Sequence, residues 1–190
     1  MTEALAMPPS GAWTLEDLLR LPEDGNRFEI VDGSLLVSPP PTVLHGVAVA
    51  TVVRLLQDSA PPDLVVLPGG PGVALRRSLY IPDALVVEAI AVAADRPVFA
   101  AAEVRLVVEV LSPGNRTTDL VTKRADYAAA GIPSYWLVDP AAPSLTVLRL
   151  EGTSYVEKAV VRGDEAYAGT EPFPVTVLPS ALRRPPRRAG

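Results

Sequence analysis

Two acidic residues stand in apolar surroundings where a charge is expensive. Glu109 interrupts Leu106-Val107-Val108-Glu109-Val110-Leu111, and Asp83 interrupts Tyr80-Ile81-Pro82-Asp83-Ala84-Leu85-Val86-Val87. Runs of this kind read as core strands buried on both faces. A carboxylate there needs a hydrogen-bond partner, a cation or a raised pKa. Two acids on two core strands predict a shared divalent ion. Mg2+ is the natural choice, because it takes oxygen ligands and keeps several waters, and the Val110 carbonyl is a further candidate ligand. Such an ion would activate a water and neutralise charge developing on a phosphoryl group. Lys123 is the candidate amine to orient or help deprotonate that water. It falls on the helix predicted after the Glu109 strand, about one and a half turns beyond Thr118.

The elements that must position these residues follow from pattern. Thr14 with Asp17 three residues on predicts a capped short helix. Phe28 to Val31, Asp32-Gly33, then Ser34 to Val37 is the pattern of a hairpin with a type I′ turn. Pro39-Pro40-Pro41 ends the second strand, and Thr42 is placed to cap a largely apolar helix from about Val43 to Asp58. Strands are predicted at Leu64 to Leu67, Val73 to Leu75, around Asp83 and around Glu109. Ser112 to Asn115 reads as a loop, and Thr118 as the cap of a helix closed by Gly131 and Pro133. On that helix Asp119, Lys123 and Asp126 share one face, with Leu120, Arg124, Tyr127 and Ala128 on another. Further strands are predicted at Tyr135 to Val138, Ser144 to Leu150, Tyr155 to Val161 and Val175 to Leu178. The fold class is therefore α/β, a mixed central sheet flanked by helices.

Composition narrows the function. The chain has 190 residues and no cysteine, which excludes disulfides, thiolate zinc sites and cysteine nucleophiles. We expect one domain over residues 13–182, a loose leader at 1–12 and a mobile basic tail at 183–190. The leader lacks a basic segment followed by an apolar stretch, and no apolar run is long enough to span a bilayer. A cytoplasmic location is the expectation. The formal charge is −5, and four of the 17 basic residues (Arg183, Arg184, Arg187, Arg188) crowd the tail, leaving 13 against 22 acids. Duplex binding relies on many Lys and Arg contacts to phosphate, so a nucleic-acid substrate must meet a local basic patch, a metal, or both. Gly69-Gly70-Pro71-Gly72 lacks the Lys-Ser or Lys-Thr of a phosphate loop. A Ser–His–Asp triad would have only His45 and no strained serine turn.

The ordered set Pro82-Asp83, Glu109-Val110-Leu111 and Lys123 resembles the PD-(D/E)XK nuclease signature with its lysine displaced. More closely, the chain is similar to the Uma-two group of restriction-type endonucleases. The stretches that carry the likeness are Phe28 to Gly33, Ser38 to Pro41 with His45, Ile81-Pro82-Asp83, and Val108 to Pro113. It continues through Asn115-Arg116, Asp119, Lys123 and Tyr127 to Gly131-Ile132-Pro133-Ser134-Tyr135-Trp136-Leu137-Val138-Asp139-Pro140. The resemblance implies a restriction-endonuclease-like fold, Mg2+ dependence with Mn2+ as a substitute, and hydrolysis of DNA phosphodiester bonds. Asp83, Glu109 and Lys123 would be catalytic, the two acids would hold the metal, and Glu29 and His45 would be accessory residues of the cleft. Arg116 and Arg124 would contact phosphate, and a homodimer would reach both strands. Two positions depart from the pattern. Leu111 stands two after Glu109, where many members place lysine, and Ser134 replaces an acid before Tyr135-Trp136.

Each residue also has a plainer reading. Glu109 can be a core glutamate neutralised by Arg105 or Arg116, Asp83 a turn cap, Lys123 a solvated helix lysine and Glu29 an exposed strand position. His45 can be a structural or capping histidine, while Arg116 and Arg124 can balance Asp119 and Asp126 at helical spacing. At the level of the whole protein, two rivals stand: a nuclease fold kept as an interaction module without catalysis, and a metal-dependent hydrolase of another phosphoester.

Overall fold

A computed structural model describes residues 11–183; residues 1–10 and 184–190, which carry most of the expected leader and tail, lie outside the described residues. Thr14 opens α1 (Leu15–Leu18) through a reciprocal cap with Asp17. The first hairpin joins β1 (Arg27–Val31) to β2 (Ser34–Ser38) in antiparallel register. Its turn has φ of 46° at Asp32 and 79° at Gly33, the two left-handed positions a type I′ turn demands. Thr42 caps α2 (Val43–Gln57) by accepting the His45 N–H. Next come β3 (Leu64–Pro68), β4 (Gly72–Ala74), β5 (Leu79–Tyr80), β6 (Ala84–Glu88), α3 (Ala89–Val92), β7 (Val98–Ala100) and β8 (Val104–Val110). A π-helical turn at Thr118–Lys123 runs into α4 (Arg124–Ala129); β9 (Ser134–Asp139), β10 (Ser144–Glu151), β11 (Ser154–Arg162), β12 (Tyr167–Gly169) and β13 (Val175–Val177) follow, then a 3-10 turn at Pro179–Arg183.

The strands form two mixed sheets, together with a β12–β13 ribbon, in the helix-flanked mixed α/β arrangement expected. One sheet has the order β2-β1-β5-β4-β7, the other β11-β10-β9-β8-β6-β3. In the larger sheet β8 lies between antiparallel β6 and parallel β9. Alternation along β8 sends Leu106, Val108 and Val110 into a core shared with α2 and Trp136. Val107 and Leu111 point into a second core with Tyr127, Tyr135 and Leu137. Each such buried side chain stabilises the fold by roughly 1.5–3 kcal/mol. Glu109 sits fully buried on that strand.

Two local expectations are corrected. The apolar run around Asp83 is not one strand: it breaks after Tyr80, and residues 81–83 carry the chain from the smaller sheet to the larger. Pro82 has no N–H to give a ladder, and the Ile81 N–H is taken by the Glu29 carboxylate at 2.8 Å instead. Nor does Thr118 cap its helix. The helix is already under way at Arg116, while Asn115 fixes the preceding bend by accepting from the Ser112 N–H at 2.7 Å.

Candidate active site

The junction between the two sheets gathers the acids. Asp83 is held there by three donors: Arg27 Nη2 at 2.8 Å on Oδ1, with the Val110 N–H at 2.8 Å and His45 Nε2 at 3.1 Å on Oδ2. The Val110 contact ties Asp83 to the end of the strand that carries Glu109. Burial pushes the Asp83 carboxyl up, but His45, Arg27 and the Val110 N–H outweigh it and hold it below the usual range.

Glu109 is served differently. Lys123 Nζ lies 2.9 Å from its Oε1 and the Tyr127 hydroxyl 3.2 Å from the same oxygen. Its Oε2 is buried with no hydrogen-bond partner. The Lys123 ammonium also meets Glu29 Oε1 at 3.0 Å and Asp119 Oδ1 at 3.4 Å, and stands 5.3 Å from the centre of the Tyr80 ring. One ammonium thus serves three carboxylates. Burial pushes Glu109 well above its ordinary value; Lys123 opposes this, while Asp119, Asp83 and Glu29 add to it. For Lys123 the balance reverses: burial disfavours its charge, but Glu109, Glu29 and Asp119 together hold it protonated far above the normal lysine range. Lys123 in this arrangement is a fixed positive charge rather than a base.

The π-helical turn delivers this lysine from α4's direction, and the Tyr135 hydroxyl secures it by donating to the Asp119 carbonyl at 3.0 Å. Single π turns often mark functional positions in helices. A cleft of about 240 Å³ opens over the cluster, lined by Arg27, Glu29, His45 and Lys123 and rimmed by the loops at Pro39–Pro41 and Ser112–Asn115.

The structure therefore brings together Asp83, Glu109, Lys123, Glu29 and His45. Neither arginine named in the plainer reading of Glu109 pairs with it, since Arg105 pairs with Glu88 and Arg116 with Asp139; its buried cationic partner is Lys123. Arg116 and Arg124 stand apart from the cluster: the first donates to Asp139 at 2.6 Å, the second to the Tyr155 carbonyl at 3.0 Å. Three members were not singled out from sequence as site residues. Arg27 shares the β1 face of Glu29 by two-residue alternation. Asp119 and Tyr127 lie four residues either side of Lys123, and Tyr127 faces Glu109 rather than turning away from it.

Residues 15–181 match the Uma2 family, described as "Putative restriction endonuclease". The chain belongs to this family. A crystal structure described as "a putative nuclease belonging to DUF820", from Anabaena variabilis, superimposes with a TM-score of 0.73 at 19% identity, covering 90% of this chain and 97% of that one. At that identity the likeness concerns the fold, a mixed α/β arrangement of helix-flanked sheets. No curated protein matches the chain. In this Uma2 protein Glu29, Glu109, Asp119 and Lys123 form one buried cluster, while Leu111 packs into the second core. The strand position two after Glu109 is therefore apolar, and the amine near Glu109 comes from the helix.

Proposed function

We propose that this protein is a metal-dependent endonuclease that hydrolyses phosphodiester bonds in DNA, with the PD-(D/E)XK roles carried by Asp83, Glu109 and Lys123. Charge balance is the observation that carries the reading. Four buried carboxylates (Glu29, Asp83, Glu109 and Asp119) face two permanent cations, Lys123 and Arg27. Glu109 and Asp119 are both pushed above their ordinary values there, so the cluster is short of positive charge, which a divalent ion would supply. The free Oε2 of Glu109 is an oxygen donor of the kind Mg2+ selects. Among the described residues no three His, Asp or Glu side chains group as a metal cage.

In this reading Asp83 and Glu109 would hold Mg2+, or Mn2+ in its place, and the ion would supply charge neutralisation at the phosphate and an activated water. Lys123 orients the attacking water and stabilises developing negative charge with its fixed ammonium. Glu29 braces Lys123, and His45 braces Asp83. Arg116 follows Asn115 in the chain and would have to leave Asp139 to meet an incoming phosphate; Arg124 is turned toward β11. A homodimer in the cytoplasm, one copy per strand, belongs to the same proposal.

A second reading has its own support. Leu111 replaces the strand lysine, and Asp83 already has three protein donors, which suits a fold kept for interaction alone. Calorimetric titration of Mn2+ into the parent, Asp83→Asn and Glu109→Gln, paired with plasmid and oligonucleotide cleavage, separates the two. The endonuclease reading expects binding and cleavage in the parent and loss of both in the variants, with Glu109→Gln at least as thermally stable as the parent. Absence of metal binding, or full activity in Glu109→Gln, would overturn it.

A further inference from the structure

Beside the cleft lies a larger groove of about 600 Å³, walled by Leu15 and Leu18 of α1, Phe28 of β1, Val49 of α2, Ile81 and Val98. Its volume is in the usual range for small-molecule sites, roughly 300–1,000 Å³. The groove is continuous with the proposed catalytic cleft: Arg27, Pro41 and His45 line both, and Asp83 borders the groove. Its polar edge is thus the group of side chains that holds a proposed metal ligand, and the rest of its wall is apolar apart from Asn26.

Charge decides which occupant suits it. The protein carries a net −5. The only Lys or Arg side chains among the residues lining groove and cleft are Arg27 and Lys123, both already paired with carboxylates. A nucleic acid bound here would gain little from tracking its backbone with basic residues, so affinity must come from contact with its bases. An apolar trough with an aromatic ring, opening beside the phosphate site, offers that contact. A base within a stacked duplex cannot enter it; an unpaired or extruded base can.

We propose that this groove binds an unpaired nucleobase of the substrate strand, next to a phosphate in the adjoining cleft lined by Arg27, Glu29, His45 and Lys123, so that the substrate is single-stranded or locally unpaired. The inference rests on the endonuclease reading. Ala50 lines the groove from an exposed position on α2, so Ala50→Trp fills it with an indole without disturbing the core. Ala50→Ser is the control.

Two assays test the assignment. In Mg2+-dependent turnover, a single-stranded oligonucleotide is expected to be cleaved at least about tenfold faster than its duplex. Ala50→Trp is expected to raise KM for the single strand about tenfold or more, leaving kcat and the hydrolysis of bis(p-nitrophenyl) phosphate unchanged. In equilibrium binding, a single strand carrying 2-aminopurine is expected to change fluorescence on binding the parent, with Kd weakened to the same extent by Ala50→Trp. Binding with that pattern supports the groove assignment in the absence of turnover as well. Cleavage that is equal on both substrates and indifferent to Ala50→Trp overturns the groove assignment and leaves the nuclease reading intact. Loss of both binding and cleavage in the parent overturns both. Self-association abolished by Ala50→Trp, with nucleic-acid binding untouched, assigns the groove to a second copy of the chain and also overturns it.

Discussion

Replacing Asp119 by asparagine is expected to stabilise the metal-free protein at alkaline pH and to leave it unchanged in acid. Both carboxylate oxygens of Asp119 are buried without a hydrogen-bond partner, and the nearest cation, Lys123, is 3.4 Å away and shared with Glu29 and Glu109. Burial pushes this carboxyl from 3.8 to about 6, with Lys123 opposing. A carboxyl raised on folding favours the native state below its unfolded pKa and loses that contribution as pH rises through about 6. A shift of about two units at 1.36 kcal/mol each amounts to about 3 kcal/mol by pH 8. The asparagine amide leaves N–H groups of its own to satisfy, so a net gain of about 2–3 kcal/mol is expected. For a domain of this size that is about 5–10 °C in Tm. Calorimetry of parent and variant in EDTA at pH 4 and pH 8 reads it directly. A gap that is the same at both pH values, or a variant less stable at pH 8, would refute the reasoning.

Three further substitutions probe the same framework. Lys123→Met leaves Glu29, Glu109 and Asp119 buried without their ammonium and is expected to cost about 3–5 kcal/mol in urea unfolding at pH 8; a loss below about 1 kcal/mol would show that the carboxylates are already neutral. Tyr127→Phe removes one hydrogen bond to Glu109 Oε1, so a destabilisation of about 0.5–1.5 kcal/mol by denaturant titration is expected. Gly33→Ala places a side chain at a φ of 79° and within 3.3 Å of the Ala12 Cβ. It is expected to lower stability by about 1 kcal/mol or more with no change in metal binding.

Much of the local structure was legible because single residues dictate it. Thr14 and Thr42 fix two helix starts, Asp32-Gly33 fixes a hairpin, and the alternation along β8 places Glu109 and Leu111 on one face. The Asp83 segment was harder, because an apolar run does not disclose that its hydrogen bonds change sheets midway; Pro82 was the sign. The cap misassigned to Thr118 has a similar origin, since Asn115 bends the chain before any helical periodicity begins. Within the site, Asp83 and Glu109 follow from the chemistry expected of isolated charges in apolar runs, and Lys123 from its place on the helix after the Glu109 strand. Tyr127 was legible, since it stands four residues after Lys123 and ordinary helical spacing puts the two on one face; grouping it with Leu120 and Arg124 missed this. Arg27 was overlooked for a simpler reason: beside Phe28 and Glu29 it reads as an ordinary surface arginine until Asp83 is known to lie opposite it.

Glu29 comes from the smaller sheet, Glu109 from the larger, and Asp83 from the strap that passes between them. Whatever engages these acids together rivets one layer to the other. Sliding of the layers would pull the oxygens apart, so occupancy of the cluster and mechanical rigidity of the whole molecule rise and fall together. Protection of the Ile81 amide from hydrogen exchange, which depends on Glu29 reaching across that strap, is a local gauge of how firmly the rivet is set.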